Sequence, residues 1–168
     1  ARTAEPDFVL VTMHWGSEYQ LNESRQQRQL AALLFREGAD AVIGSHPHVV
    51  QPIRGSGRGS LVAYSMGNLV SNQRDRYRDG GIAFEMVLTK EPKEISSFSY
   101  LPVWVWKPLT KKGNSFTLLP ANLNPESVLY LSMPAKDRES IKLFLKDTRS
   151  RLEGTTEVIL PGLTDISE

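Results

Sequence analysis

The sequence predicts an α/β fold whose second half turns to α+β. Three observations carry this. Residues 8–48 run apolar segment, amphipathic helix pattern, apolar segment, the signature of a parallel strand–helix–strand unit. From Ile82 the apolar period changes to two, and strand patterns follow one another without an intervening helix. One long helical pattern, over 134–153, comes near the end of the chain.

The elements follow in order. Phe8 to Met13 is apolar and rich in β-branched side chains, so it reads as a strand buried on both faces; His14-Trp15-Gly16 ends it. Ser24 opens Ser-x-x-Gln, a capping box for a helix reaching Arg36, with Leu30, Leu33 and Leu34 on one face and Gly38 placed to terminate it. Ala41 to Gly44 is a second buried strand, followed by Ser45-His46-Pro47-His48. A strand–helix–strand crossover of this kind is right-handed and makes its strands parallel. Both strands then finish at one edge of the sheet, where open α/β sheets bind ligands. His14, His46 and His48, all the histidines of the chain, meet on that rim.

The turn Gly55 to Gly59 leads into a third strand, Leu61 to Met66, which ends in Gly67-Asn68. A charged loop covers Asn72 to Gly81. Ile82 to Thr89 alternates as a half-exposed strand, Ser97 to Trp106 is another, and Phe116 to Leu119 pairs nearby. The helix over 134–153 turns Ile141, Phe144, Leu145 and Leu152 inward. From Thr155 the tail has one apolar patch, Val158-Ile159-Leu160, and is otherwise expected to be loose. The pattern divides the chain at residue 90: an α/β segment over 1–90, then a β-rich segment with a helical extension packing on it over 91–168.

Composition excludes several function classes. With 168 residues, 40% hydrophobic and 23% charged, the chain can bury a core without covalent staples. A net charge of +1 supplies no field to draw nucleic acid or an anionic membrane, so no nucleic-acid partner is expected. The absence of cysteine removes disulfides, thiolate metal sites and Cys nucleophiles. No apolar run approaches the roughly 20 residues that cross a bilayer. The start, Ala1 to Pro6, has neither an initiator Met nor an apolar signal core and reads as a trimmed end or a fragment, with any targeting segment upstream.

His46-Pro47-His48 is the sharpest local feature. Proline biases the residue before it toward extended geometry, and in an extended segment residues i and i+2 point the same way. Two imidazoles held side by side can grip one metal or address two, and neutral imidazole suits zinc, iron and manganese. With His14 on the same rim, a metal site outweighs the ordinary reading of loop histidines. Three imidazoles could also form a complete mononuclear zinc site with one open position.

Glu18 could orient an imidazole or act as an acid or base; otherwise it is a solvated loop carboxylate. Asn68 could donate to a bound oxyanion, or serve as an ordinary turn residue. Arg74, Arg76 and Arg78 stand at alternate positions of the charged loop, and guanidinium forks suit phosphates and carboxylates. The loop's own aspartates are their alternative partners. Trp104 and Trp106 read as packing residues. There is no Gly-x-Ser-x-Gly elbow, and the glycine-rich turn lacks the Lys-Ser/Thr of a phosphate-binding loop.

The segments His14-Trp15-Gly16-Ser17-Glu18-Tyr19, Gln26 to Ala31, Gly38 to Gln51 and Tyr64-Ser65-Met66-Gly67-Asn68, in this order, resemble the CapA-type poly-γ-glutamate capsule-synthesis family, a branch of the calcineurin-like metallophosphoesterases. The resemblance covers about Asp7 to Leu88. Met66 and Leu69 stand where relatives often carry Leu and Phe. The resemblance implies a metallophosphatase-like α/β/β/α sandwich, represented here by its C-terminal half. It also implies that His14 and His46 bind one metal of a dinuclear pair and His48 the other, with the remaining Asp, His and Asn ligands upstream.

From this follow several expectations. The protein serves biosynthesis of a capsule or cell-envelope polymer, with a metallophosphoesterase-type site holding divalent Mn, Fe or Zn. Its catalytic residues are Glu18 and Asn68, and Arg74, Arg76 and Arg78 bind an anionic polymer or phosphoester. Its partners include the upstream half of its own domain, and self-association can occur through an uncovered sheet. Its location is the cell envelope or otherwise extracytoplasmic, and the chain alone should be inactive. The rival readings are a non-catalytic polymer-binding or assembly subunit with a structural or vestigial metal, and the three-His zinc hydrolase.

Overall fold

The computed structural model describes residues 5–55, 59–110 and 113–160. Part of the glycine-rich turn (56–58) and the end of the tail (161–168) lie outside the described residues.

The first half forms strand β1 (Leu10–His14), helix α1 (Arg25–Arg36) and strands β2 (Ala41–Ser45), β3 (Ile53–Gly55) and β4 (Leu61–Ala63). They make a four-stranded sheet of order β1-β2-β4-β3, in which β1, β2 and β4 run parallel and β3 antiparallel. The β1–β2 register pairs His14 with Ser45, so the two strands end together, as the crossover argument requires.

Helix α1 starts where the sequence signals it. Ser24 accepts from the Gln27 backbone N–H at 3.1 Å and the Gln27 side chain accepts from Ser24 N–H at 2.8 Å, the two halves of a capping box. Its inner face brings Ala31, Leu30, Leu34 and Phe35 against Val11, Met13, Val42 and Val62. Leu33 turns to solvent, 40% exposed, because the contact stripe centres on Ala31.

The expectation that the first strand is buried on both faces does not hold. Leu10, Thr12 and His14 are exposed, and only the alternate residues face α1. β1 is the outermost strand, with β2 as its one neighbour among the described residues, so its apolar composition reports one covered face rather than two.

The second half builds on a long hairpin, β5 (Gly80–Thr89) and β6 (Glu94–Trp106). β7 (Leu109–Thr110) and β8 (Gly113–Asn114) form a small ribbon, and β9 (Thr117–Pro120) pairs with β6. After α2 (Val128–Ser132), helix α3 (Ala135–Arg151) lays Ile141 and Phe144 on Trp104. The division drawn at residue 90 falls in the turn of the β5–β6 hairpin; the change of sheet itself lies over residues 64–79, because cross-strand pairing is not visible in either strand's own pattern.

The tail also departs from expectation. Thr156–Glu157 form β10, parallel to β6, and Val158 N–H donates to Tyr100 O at 2.8 Å. Glu157 fastens it, accepting two bonds from Arg149, at 2.7 and 2.9 Å, and one from Asn122. Burial alone would raise the Glu157 carboxyl, but the bonds from Arg149, Asn122 and Tyr100 hold it below its ordinary range.

The third strand is shorter than predicted because its chain crosses to the second sheet. Met66 N–H donates to Gly44 O, Ile82 N–H to Met66 O and Asn68 N–H to Gly80 O, at 3.3, 2.8 and 3.0 Å. This stitch places Asn68 beside the end of β2.

The buried carboxylate Asp79 follows in the same connection and accepts the Trp104 indole N–H at 2.6 Å. Burial pushes its pKa up, against the pull of Trp104 and Arg74. A raised carboxyl pKa means the folded state holds the proton more tightly, so this group's contribution to stability is full at low pH and is lost as pH rises through the folded pKa. Asp79→Asn cannot titrate and retains an acceptor for the indole. Thermal melts should therefore show the variant gaining on the wild type between pH 4 and pH 7. A gap that stays constant with pH would refute the assignment.

Candidate metal centre

The sheet edge gathers the predicted residues from three connections. β1 delivers His14 and the turn carrying Trp15, Glu18 and Tyr19. β2 delivers His46 and His48. The stitch delivers Asn68. The first two are tied directly: Tyr19 N–H donates to Pro47 O at 2.7 Å and Trp15 N–H to Ser45 O at 3.2 Å.

Trp15 is the anchor beneath them. Its indole N–H crosses β2 over Gly44 and donates to Tyr64 O at 2.8 Å, and its ring stacks on Tyr64 at 5.8 Å. Behind the turn lies a buried amide chain. Gln27 donates to Gln51 at 2.9 Å, and Gln51 donates to Gln20 O and Asn22 O at 2.8 and 3.1 Å. Gln51 is fully buried. Gln51→Ala strands these acceptors and the Gln27 donor, and should cost about 2 kcal/mol in urea unfolding. A loss under roughly 0.5 kcal/mol would mean the buried amide chain adds no net stability.

The histidines converge, but not by the predicted backbone. His46 has φ 102° and His48 φ 58°, so the segment is not extended; it kinks twice through the left-handed region. A non-glycine residue held there is strained, and such strain gathers at functional sites. Pro47, buried between the two histidines, is held by the bond from Tyr19. The rings still meet: His14 and His46 lie 4.5 Å apart between centroids, His46 and His48 6.2 Å.

One ligand-capable atom from each of Glu18, His46 and His48 lies within 4.8 Å of the others. Glu18 Oε1 is 3.9 Å from His48 Nε2. His14 contributes its ring to the cluster rather than an atom to that convergent set. Asn68 is buried and its amide N–H groups are directed at Arg78 O at 2.8 Å, Gln73 Oε1 at 3.3 Å and His48 O at 3.4 Å. Its Oδ1 therefore faces His48 Nδ1, at 2.8 Å, as an acceptor. With Nδ1 as the donor to Asn68, Nε2 is directed to the side of Glu18, where a neutral ring would present its lone pair. Asn68 thus sits behind His48 as its orienting partner.

The three arginines separate. Arg74 bonds to backbone oxygens of Gln73, Ser71 and Val105, and burial lowers its pKa. Arg76 makes a two-pronged pair with Asp147 of α3, both bonds 2.8 Å. Arg78 pairs with Asp75 at 2.9 Å and lays its guanidinium on the Tyr19 ring, 3.5 Å from the centroid. Of the three, Arg78 is the one carried to the histidine rim. Tyr19, with φ 66° and its ring 6.1 Å from His48, belongs to the cluster and escaped sequence reasoning; its place beside Glu18 was the available signal. Trp104 and Trp106 pack as expected, and in addition their indoles donate to Asp79 and Asp137.

Two imidazoles and a carboxylate, with one imidazole's far nitrogen already bonded, form a donor set that fits a borderline divalent metal. Residues 1–73 match the family described as bacterial capsule synthesis protein PGA_cap, a stretch that contains His14, Glu18, His46, His48 and Asn68. The chain is 43% identical over 77 residues to the PGA biosynthesis protein CapA of Bacillus subtilis (strain 168), covering 45% of this chain and 20% of that protein. It is 42% identical over 67 residues to the capsule biosynthesis protein CapA of Bacillus anthracis, covering 40% of this chain and 16% of that protein. The chain spans about a fifth of the length of the curated relatives it matches. No helix among the described residues is long and apolar enough to cross a membrane.

Proposed function

We propose that the protein, whose residues 1–73 match the bacterial capsule synthesis family, acts in biosynthesis of a poly-γ-glutamate-like capsule polymer at the cell envelope through a metallophosphoesterase-type metal site. The observation that carries the metal half of this reading is the convergence of Glu18, His46 and His48 within 4.8 Å. His46 and His48 would hold a divalent ion such as Mn, Fe or Zn, Glu18 would complete or orient that set, and Asn68 holds His48 in the ligating tautomer. The family resemblance pairs His14 with His46 on one ion and His48 on the other; the convergence of His46 and His48 with Glu18 favours one ion shared by those two histidines, and His14, against His46, would offer its imidazole to a second ion. When bound, such metals activate water and neutralise charge on a phosphoryl oxygen.

The mixed imidazole–carboxylate convergence favours this set over three imidazoles on one zinc. The assembly-subunit reading shares the metal and differs in turnover. A phosphodiesterase assay on the full-length protein with added manganese separates them. The enzyme reading expects hydrolysis that His46→Ala abolishes; equal rates in both proteins, or none in either, would sink it.

A further inference from the structure

We propose that Arg78, braced on Tyr19, is the oxyanion-recognition residue of this rim, binding a phosphoryl or carboxylate group of the substrate beside the histidine cluster. The inference rests on the metal reading above for the placement of the substrate and adds to it the group that recognises charge.

The position of Arg78 is determined from two sides. Its backbone carbonyl accepts from Asn68, the residue that also bonds His48. Its guanidinium is stacked on Tyr19, whose ring is tilted against His48. The guanidinium carbon therefore lies within about 10 Å of the His48 ring centre, from the two stacking distances combined. Stacking orients the plane and leaves its edge, where the N–H donors lie, for hydrogen bonds.

Only Nη1 meets an acceptor among the described residues, Asp75 at 2.9 Å, and Asp75 is itself 76% exposed. An exposed pair of this type is weak and readily exchanged for a ligand anion. Arg78 is partly shielded, with 29% of its side chain accessible, so an oxyanion there would be bound with less screening than at an open surface. Arg74 and Arg76 cannot share the task, since backbone oxygens and Asp147 already occupy their forks. Tyr19, itself in the left-handed region, carries the ring that meets both groups, 3.5 Å from the guanidinium carbon and 6.1 Å from the His48 ring.

The test uses full-length protein, with manganese affinity and oxyanion affinity measured separately by calorimetry. Inorganic phosphate and glutarate are the probes. Arg78→Gln should weaken binding of one or both probes by about tenfold or more, with Arg78→Lys in between because it keeps charge but loses fork and stack. A response with phosphate alone assigns a phosphoryl group, and with glutarate alone a carboxylate. Manganese affinity should stay the same in all three proteins. Unchanged oxyanion affinity in Arg78→Gln overturns the proposal, as does a wild type that binds neither probe. Loss of manganese binding in the wild type overturns the metal reading instead. Phosphate or glutarate binding that still depends on Arg78 would then uphold the recognition role by itself.

Discussion

His48→Ala is expected to weaken manganese or zinc binding on the order of a hundredfold, measured by calorimetric titration of the folded protein. The size follows from the donor count. Three ligand-capable atoms converge within 4.8 Å, and removing the best-oriented one leaves a pair. His48 is that one because its Nδ1 donates to Asn68 and its Nε2 is directed to the side of Glu18. Asn68→Ala keeps the imidazole but removes its orienting acceptor, along with the amide bonds to Arg78 O, Gln73 Oε1 and His48 O, so about a tenfold loss of metal affinity is expected there. The ranking of the two variants matters as much as either value: equal losses would mean His48 acts through the fold. Glu18→Gln and His14→Ala complete the comparison. An unchanged metal affinity in Glu18→Gln with metal binding lost in His14→Ala would return the three-imidazole zinc site to first place.

Gly44→Ala should destabilise the protein by about 3 kcal/mol or more in urea unfolding. A Cβ at Gly44 would sit 2.0 Å from Tyr64 O and 2.4 Å from Trp15 Nε1, the acceptor and donor of one hydrogen bond. Neither atom is the free end of a flexible chain: one is backbone in the stitch to the second sheet, the other a buried indole. The methyl must therefore push Trp15 out and open β2 from the chain beyond β4. Because Trp15 underlies the turn bearing Glu18 and Tyr19, metal affinity should fall together with stability. A loss below roughly 1 kcal/mol would show that the indole reaches Tyr64 by a route that does not cross Gly44.

Much of this is legible in the sequence. Periodicity located the first two strands and the helix between them, and the parallel crossover brought His14, His46 and His48 to one edge. The capping box of α1 appeared with both of its bonds. Legibility ended where side chains from distant segments choose partners. Alternating arginines look alike in a charged loop, yet Arg76 finds Asp147 on α3 and Arg78 finds Tyr19. The apolar composition of β1 suggested two covered faces because composition does not say how many neighbours a strand has. The tail reads as loose in the sequence because a two-residue strand held by Arg149 and Glu157 has no periodicity to detect.

By itself, then, the sequence determined the elements of the first half, their parallel order and the meeting of the histidines, all consequences of local pattern and chain handedness. The tertiary structure alone decided which ring nitrogen of His48 faces Asn68, which arginine reaches the rim and how the His-Pro-His kinks. These are set by contacts such as Asn68 to His48 and Tyr19 to Pro47, across 20 and 28 positions of chain, where no local rule reaches.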